Sequence, residues 1–481
     1  MIKNDKYQVV IGLEVHAQLL TQSKLFCGDR AAFGAAPNTH ISPITLAHPG
    51  TLPKMNRKAI EYAVKLGLAL HCDIEQKNYF ARKNYFYPDL PKGYQVSQHT
   101  TPICKNGTVR IKVDNIERHI KLNRIHMEED AGKSLHDVDE QYTAIDLNRA
   151  GVPLLEIVSE PDLHSSEEAF AYVTELRRLV RWLNICDGNM EEGSMRCDAN
   201  ISIRLKGEII LGTRVEVKNL NSIRNVKRAI DVEVNRLVDI VESGEKVLQQ
   251  TRSYDADTNT TFSLRSKEEA DDYRYFADPD LTPFNITDEF LQTIQSALPA
   301  LPEELEAKYK TVFNLPDYDA QVICGDKSLV DFFEGIVQHT TNYKAAVNWL
   351  MGPVKSYCND RGIDISSFTL SPEKISALIQ LVDDGKVNFS IASSKIFAAL
   401  LVLPKKTPLQ IATELNLLQE SDSAPVAAWV DEVIAKMPDK VKEYKGGKKG
   451  LIGLFVGEVK KLSKGKADMN LVNKLLEEKL N

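Results

Sequence analysis

Near the start of the chain, apolar and polar side chains alternate strictly. In "VVIGLEVHAQL", Val9, Ile11, Leu13 and Val15 face one way, and Gly12, Glu14, His16 and Gln18 the other. A period of two marks a β-strand buried on one face. "RCDANISIRL" sets Cys197, Ala199, Ile201 and Ile203 against Arg196, Asp198, Asn200, Ser202 and Arg204. "TRVEVKNL" opposes Val215 and Val217 to Arg214, Glu216 and Lys218. Helical runs fall at roughly 56–70, 165–184 and 222–243. Strands of this kind predict a largely antiparallel sheet, covered on one face, in an α+β domain rather than a doubly wound nucleotide fold.

After "DPDLTPFNITDEFL" the pattern changes to amphipathic helices broken by Pro or Gly, as in "LPALPEELEAKYK" and "SPEKISALIQLVDDGKV". "LVLPKKTPLQI" is the expected boundary inside this helical half. The reading divides the chain into an α+β domain over about 1–292, a helical domain over about 293–406 and a helical tail over about 407–481.

Composition narrows the class. The chain has 481 residues, 43% hydrophobic and 26% charged, so it is an ordinary globular protein rather than a disordered one. No apolar run approaches the ~18–20 residues of a membrane span, and the start lacks a signal-peptide core. Seven cysteines are scattered singly along the sequence, which suits a reducing cytoplasm better than a disulfide framework. Net charge is −7, so any nucleic-acid contact needs a local basic patch. The final segment supplies one: Lys445, Lys448, Lys449, Lys461, Lys464 and Lys466 crowd around the apolar "LIGLFVGEV".

The chemistry concentrates in acids. "HMEEDAGKS" ends like a phosphate-binding P-loop, but Met127 stands where that motif needs a glycine. Carboxylates share a site with phosphates only across a divalent cation, and Mg²⁺ takes one or two carboxylates plus phosphate oxygens. Glu14 and His16 line one polar strand face, and Asp198 and Glu216 border the same groove. Glu156 sits among apolar neighbours in "VPLLEIV", where an unpaired charge is costly. Lys83, Lys218 and Arg274 are nearby candidates for holding anions. Taken together, these residues predict a metal–nucleotide site.

The blocks "IGLEVH", "RKNYFYPDLPKGYQ", "HMEEDAGKS", "LNRAGVPLLEIVSEPD", "MEEGSMRCDANIS", "VKNLNS" and "DDYRYFADPDL", in this order, closely resemble the B subunit of the bacterial glutamyl-tRNA(Gln)/aspartyl-tRNA(Asn) amidotransferase. The resemblance implies a cradle domain similar to glutamine synthetase, followed by a helical domain and a YqeY-like tail. It also implies ATP and Mg²⁺ as cofactors, mischarged tRNA as substrate, and a heterotrimer with an amidase (the A subunit) and a small C subunit. Motif by motif, it carries metal and catalytic roles to Glu14, His16, Glu128, Glu129, Glu156, Asp198 and Glu216, with Lys83 and Lys218 steadying anions. Many members carry a four-cysteine zinc site; here Cys27 is joined by Asp29, Ser42 and Thr45, so zinc is not expected. Two rival functions remain: a free-standing carboxylate–amine ligase, and a non-catalytic tRNA-binding scaffold.

Overall fold

The computed structural model describes residues 6–266, 273–419, 423–463 and 466–480. Its chain divides into two compact units, Met1–Leu301 and Pro302–Asn481.

The first unit is built on a ten-stranded sheet. Seven of its strands are β1 (Tyr7–Gln18), β2 (Ile116–Glu129), β3 (Pro153–Ser159), β4 (Met195–Leu205), β5 (Val215–Leu220), β6 (Gln250–Asp255) and β7 (Thr260–Ser266). They lie in the order β7–β6–β5–β4–β1–β3–β2, followed by the short strands Cys104–Lys105 and Asp73–Ile74, with Thr108–Val113 paired to β2. The pairings are antiparallel except β5 with β6. Those two parallel strands are joined through a helix, because a parallel pair needs a crossover connection.

Strand β1 follows its alternation closely. Ile11, Leu13, Val15 and Ala17 are fully buried, while Gly12, Glu14, His16 and Gln18 keep partial access to solvent. Each buried Val, Leu or Ile side chain contributes about 1.5–3 kcal/mol. The covering layer includes helices α1 (Arg57–Ala69), α2 (Ser166–Trp182) and α3 (Ile223–Glu242). Their starts are set by Asn56, Ser165 and Ser222, whose side chains accept from backbone N–H groups of the first turn. Tyr172 and Leu176 of α2 and Val226 and Leu237 of α3 are fully buried. With helices on one side, the polar residues of β1, β4 and β5 are left on the other.

The second unit is helical. Phe333, Ile336, Trp349, Leu350, Ile379 and Leu400 are buried in its earlier part. Helix Pro408–Glu414 belongs with that part: Ile411 and Ala412 are buried, and the helix packs on Pro372–Asp383. The last four helices, Ser423–Lys436, Pro438–Lys445, Ile452–Leu462 and Met469–Leu480, share a separate cluster that includes Val430, Phe455, Val459 and Leu476. Among the described residues, no helix is long and apolar enough to cross a membrane.

Candidate functional site

Five neighbouring strands, β5–β4–β1–β3–β2, place one acidic or histidine side chain after another on the open face. Register opposes Glu216 to Asn200, Glu14 to Asp198, His16 to Glu156, and Glu156 to His126. Strands stand about 4.8 Å apart, so the row spans about 19 Å.

The row resolves into two clusters, in each of which the candidate ligand atoms lie within 4.8 Å of one another. The first is Glu14, Asp198 and Glu216, an all-oxygen set. Lys218 Nζ reaches Asp198 at 2.5 Å and Glu216 at 2.9 Å, and Asn200 donates to Glu14 at 2.9 Å. The second is His16, Glu128 and Glu156, a mixed nitrogen–oxygen set. His16 Nε2 lies 3.5 Å from Glu156, and Glu128 accepts from Ser97 Oγ at 2.7 Å and Gln95 Nε2 at 3.1 Å.

The electrostatics differ between the two. Burial, then the charges of Glu156, Asp198 and Glu216, push the Glu14 carboxyl above the usual carboxylate range. Burial and like charge both disfavour the ionised form. Around Glu156, burial works in the same upward direction but is outweighed by His126 and His16, which hold it well below that range. For Glu128, burial and Glu156 push upward, and His126 and Lys83 bring the net result down. Lys83 is opposed by burial yet ends above its ordinary value, because Glu128 and Glu156 face it; its Nζ also sits 4.9 Å from the centre of the Tyr273 ring. Lys218 is likewise raised, with Asp198 and Glu216 overcoming burial.

Of the positions singled out from sequence, Glu14, His16, Glu128, Glu156, Asp198 and Glu216 meet on this face, with Lys83 and Lys218 among them. Glu129 does not join them. Successive residues of a strand point to opposite faces, so Glu129 follows Glu128 into a different environment. There its carboxylate pairs with Lys92 and accepts from the Val96 backbone at 2.9 Å. It lines a separate cavity with Lys24, Asp130 and Phe26. Arg274, in a left-handed conformation with φ 42°, has an exposed side chain, while Tyr273 and Tyr275 beside it pack toward Lys83 and His99. The Gly132-Lys133-Ser134 run forms no phosphate loop: Lys133–Leu135 is a short strand paired with Ala144–Asp146.

His126 is not among the sequence candidates. It is 3% exposed, with Nε2 3.2 Å from both Glu128 and Glu156. Burial favours its neutral form, but Glu156 and Glu128 raise its pKa to about 9. Period two within "HMEED" is the available signal, since it puts His126 and Glu128 on one face.

The loop around Cys27 converges as well. Cys27 Sγ lies 3.5 Å from Thr45 Oγ1, which donates to Asp29 at 2.5 Å. In the tail, Lys445, Lys448, Lys449 and Lys461 are exposed and Lys466 is half-buried; Lys464 lies outside the described residues. Lys448 and Lys461 pair with Glu443 and Glu458, and Lys449 sits over the Tyr444 ring.

Comparison with known proteins places this geometry. Residues 9–292, more than half the chain, match the GatB/GatE catalytic domain, and residues 331–480 match the GatB domain. The chain belongs to the family of amidotransferase B subunits. It is 48% identical over 475 residues to the B subunit of aspartyl/glutamyl-tRNA(Asn/Gln) amidotransferase from Syntrophotalea carbinolica, covering 99% of both chains. It is 45% identical to the protein of that name from Thermodesulfovibrio yellowstonii, covering 98% of each. For the one from Geobacter sulfurreducens the identity is 47%, over 98% of this chain and 99% of the relative. Both clusters lie within the span matched to the catalytic domain. Near full-length likeness to subunits of an amidotransferase favours that function over a free-standing small-molecule ligase.

Proposed function

We propose that this subunit uses ATP and Mg²⁺ to phosphorylate the side-chain carboxylate of glutamate or aspartate on a mischarged tRNA. Ammonia then displaces the phosphate, forming the amide. A carboxylate is a poor acyl donor until phosphate makes it a leaving group, which fixes this order. The observation that carries the reading is the pair of carboxylate clusters on one sheet face, each accompanied by a lysine.

The donor set fits divalent cations. Glu14, Asp198 and Glu216 offer only oxygen, the ligand type that Mg²⁺ prefers. Burial first, and then the neighbouring carboxylates, push Glu14 upward, and a bound cation would relieve the second of these. Bound there, Mg²⁺ supplies charge neutralisation as the phosphoryl group moves. Lys83 and Lys218 hold phosphate or carboxylate oxygens and screen the acids from them. His16 and His126 keep Glu156 ionised in a half-closed setting. Catalysis on this account is mainly positioning and electrostatics.

The partners are an amidase (the A subunit) that releases ammonia from glutamine and a small C subunit, in a cytoplasmic heterotrimer. The tail lysines, in a helical unit with its own core, contact the tRNA backbone. The test is transamidation of Glu-tRNA(Gln) and Asp-tRNA(Asn), with ATP, Mg²⁺ and glutamine, with and without the two partners. Amide formation that needs both this chain and ATP supports the reading. ATP-independent amidation, or none with either tRNA, rejects it.

A further inference from the structure

The two metal-side carboxylates of the mixed cluster are held very unequally. Glu128 is fixed by Ser97 Oγ, Gln95 Nε2 and His126 Nε2, at 2.7, 3.1 and 3.2 Å. Glu156, on the neighbouring strand, has only two side-chain partners among the described residues: His126 at 3.2 Å and His16 at 3.5 Å. His16 is itself a candidate ligand, so its nitrogen is not available to hold Glu156 once it turns to an ion. Ionised carboxylates only accept hydrogen bonds, so the shared His126 Nε2 must carry the proton. Its Nδ1 is buried without a hydrogen-bond partner, so among the described residues the polar contacts of the ring are the hydrogen bond to Glu128 and the ion pair with Glu156.

We propose that His126 is a positioning residue: its Nε2–H ties Glu156 to the fixed Glu128 and so sets the spacing of the His16/Glu128/Glu156 ion site. The inference rests on the metal-site reading above and adds a residue outside both ligand sets. Its reach is local. Among the described residues neither Glu14 nor Asp198 has a hydrogen bond or ion pair with His126, and the Glu156 charge reaches Glu14 only through space, so the all-oxygen cluster should change less than the mixed one.

The experiment is Mn²⁺ binding to the purified full-length chain, followed by electron paramagnetic resonance without ATP or tRNA. His126→Gln places an amide N–H where Nε2 stood, whereas His126→Asn places one near Nδ1. The wild type is expected to bind two ions. His126→Gln should keep both, and His126→Asn should weaken one by about 10–100-fold, the usual effect of losing a partner that orients a ligand. Ser97→Ala, which takes one donor from the well-held Glu128, should leave both affinities within about three-fold. Asn matching Gln, or both ions weakening equally in His126→Asn, overturns the clamp. If His126→Asn fails to fold, the other two variants decide: weakening of one ion by about 10-fold or more in His126→Gln, or in Ser97→Ala, overturns it. A wild-type chain that binds no Mn²⁺ contradicts the metal-site reading itself, a distinct result.

Discussion

Replacing Glu14 by Gln should make the metal-free protein more stable while destroying its activity. Three carboxylates within 4.8 Å repel one another. At an effective dielectric constant of 20, each pair at that distance costs about 3.5 kcal/mol. Glu14→Gln removes two of the three pairs, a bare gain of about 7 kcal/mol. Solvent access and Lys218, which touches both remaining acids, screen much of it. A net gain of about 1–3 kcal/mol is the reasonable expectation, because half-buried charges beside a lysine are worth far less than bare Coulomb energies. The amide oxygen of the new side chain can still accept from Asn200, so no buried donor is orphaned. Thermal unfolding of the chain in chelator should therefore show a midpoint raised by several degrees, at about 2–4 °C per kcal/mol. Adding millimolar Mg²⁺ should stabilise the wild type by mass action and the variant much less. In the assembled complex, ATP-dependent amidation by the variant should fall by at least about 100-fold, as when one transition-state interaction of about 3 kcal/mol is removed. A variant that is less stable in chelator, or that gains as much from Mg²⁺ as the wild type, refutes the view of Glu14 as part of a strained acidic ion site.

Lys218→Ala should bind Mn²⁺ at least as tightly as the wild type, because Asp198 and Glu216 lose their competing partner, yet amidate about 100-fold more slowly; weaker Mn²⁺ binding argues that Lys218 organises the acids. Truncation after Gln419 spares helix Pro408–Glu414 and should weaken tRNA binding, lowering the salt slope by about 0.7–0.9 for each phosphate no longer neutralised; an unchanged slope removes the tail from tRNA recognition. Elemental analysis of the purified chain should find no stoichiometric zinc, since closed zinc sites favour cysteine and histidine over the Asp29, Ser42 and Thr45 found beside Cys27; one tight zinc per chain contradicts this. Glu233→Ala, far from the ligand sets, should cost about 3–5 kcal/mol in urea titration, because it leaves Arg236 and Arg252 facing an empty buried site; a cost under about 1 kcal/mol means that the pair is not buried in effect.

How much of this is legible in the sequence follows from the kind of signal each residue leaves. Glu14, His16, Asp198 and Glu216 are readable because their strands alternate cleanly, and a period of two assigns every polar residue to one face. Helices α1, α2 and α3 are readable for a similar reason, with a capping Asn or Ser at each start. Strand order is not readable. That β1 lies between β3 and β4, bringing His16 beside Glu156, depends on pairings about 140 and 180 residues apart, which no local pattern records. Glu129 misleads because adjacency in sequence is not adjacency in space: the pleat separates it from Glu128 and hands it to Lys92. His126 is hidden for the opposite reason. It stands two residues from Glu128, on the same face, in a run whose acids carry the stronger signal. Cys72 and Cys104 look solitary in the sequence, yet the pairing of Asp73–Ile74 with Cys104–Lys105 brings Cys72 close enough to push the Cys104 thiol up.

If the two clusters carry the ATP-dependent step, damaging either should stop amidation and spare glutamine hydrolysis by the partner. The most direct test reconstitutes the complex proposed above with His16→Ala or Glu216→Gln and measures two activities in one preparation: glutamine hydrolysis, and ATP-dependent amidation of mischarged tRNA. Both variants should retain most of the glutaminase activity while amidation falls by at least about 100-fold. Amidation at the wild-type rate in either variant would contradict that role for the clusters.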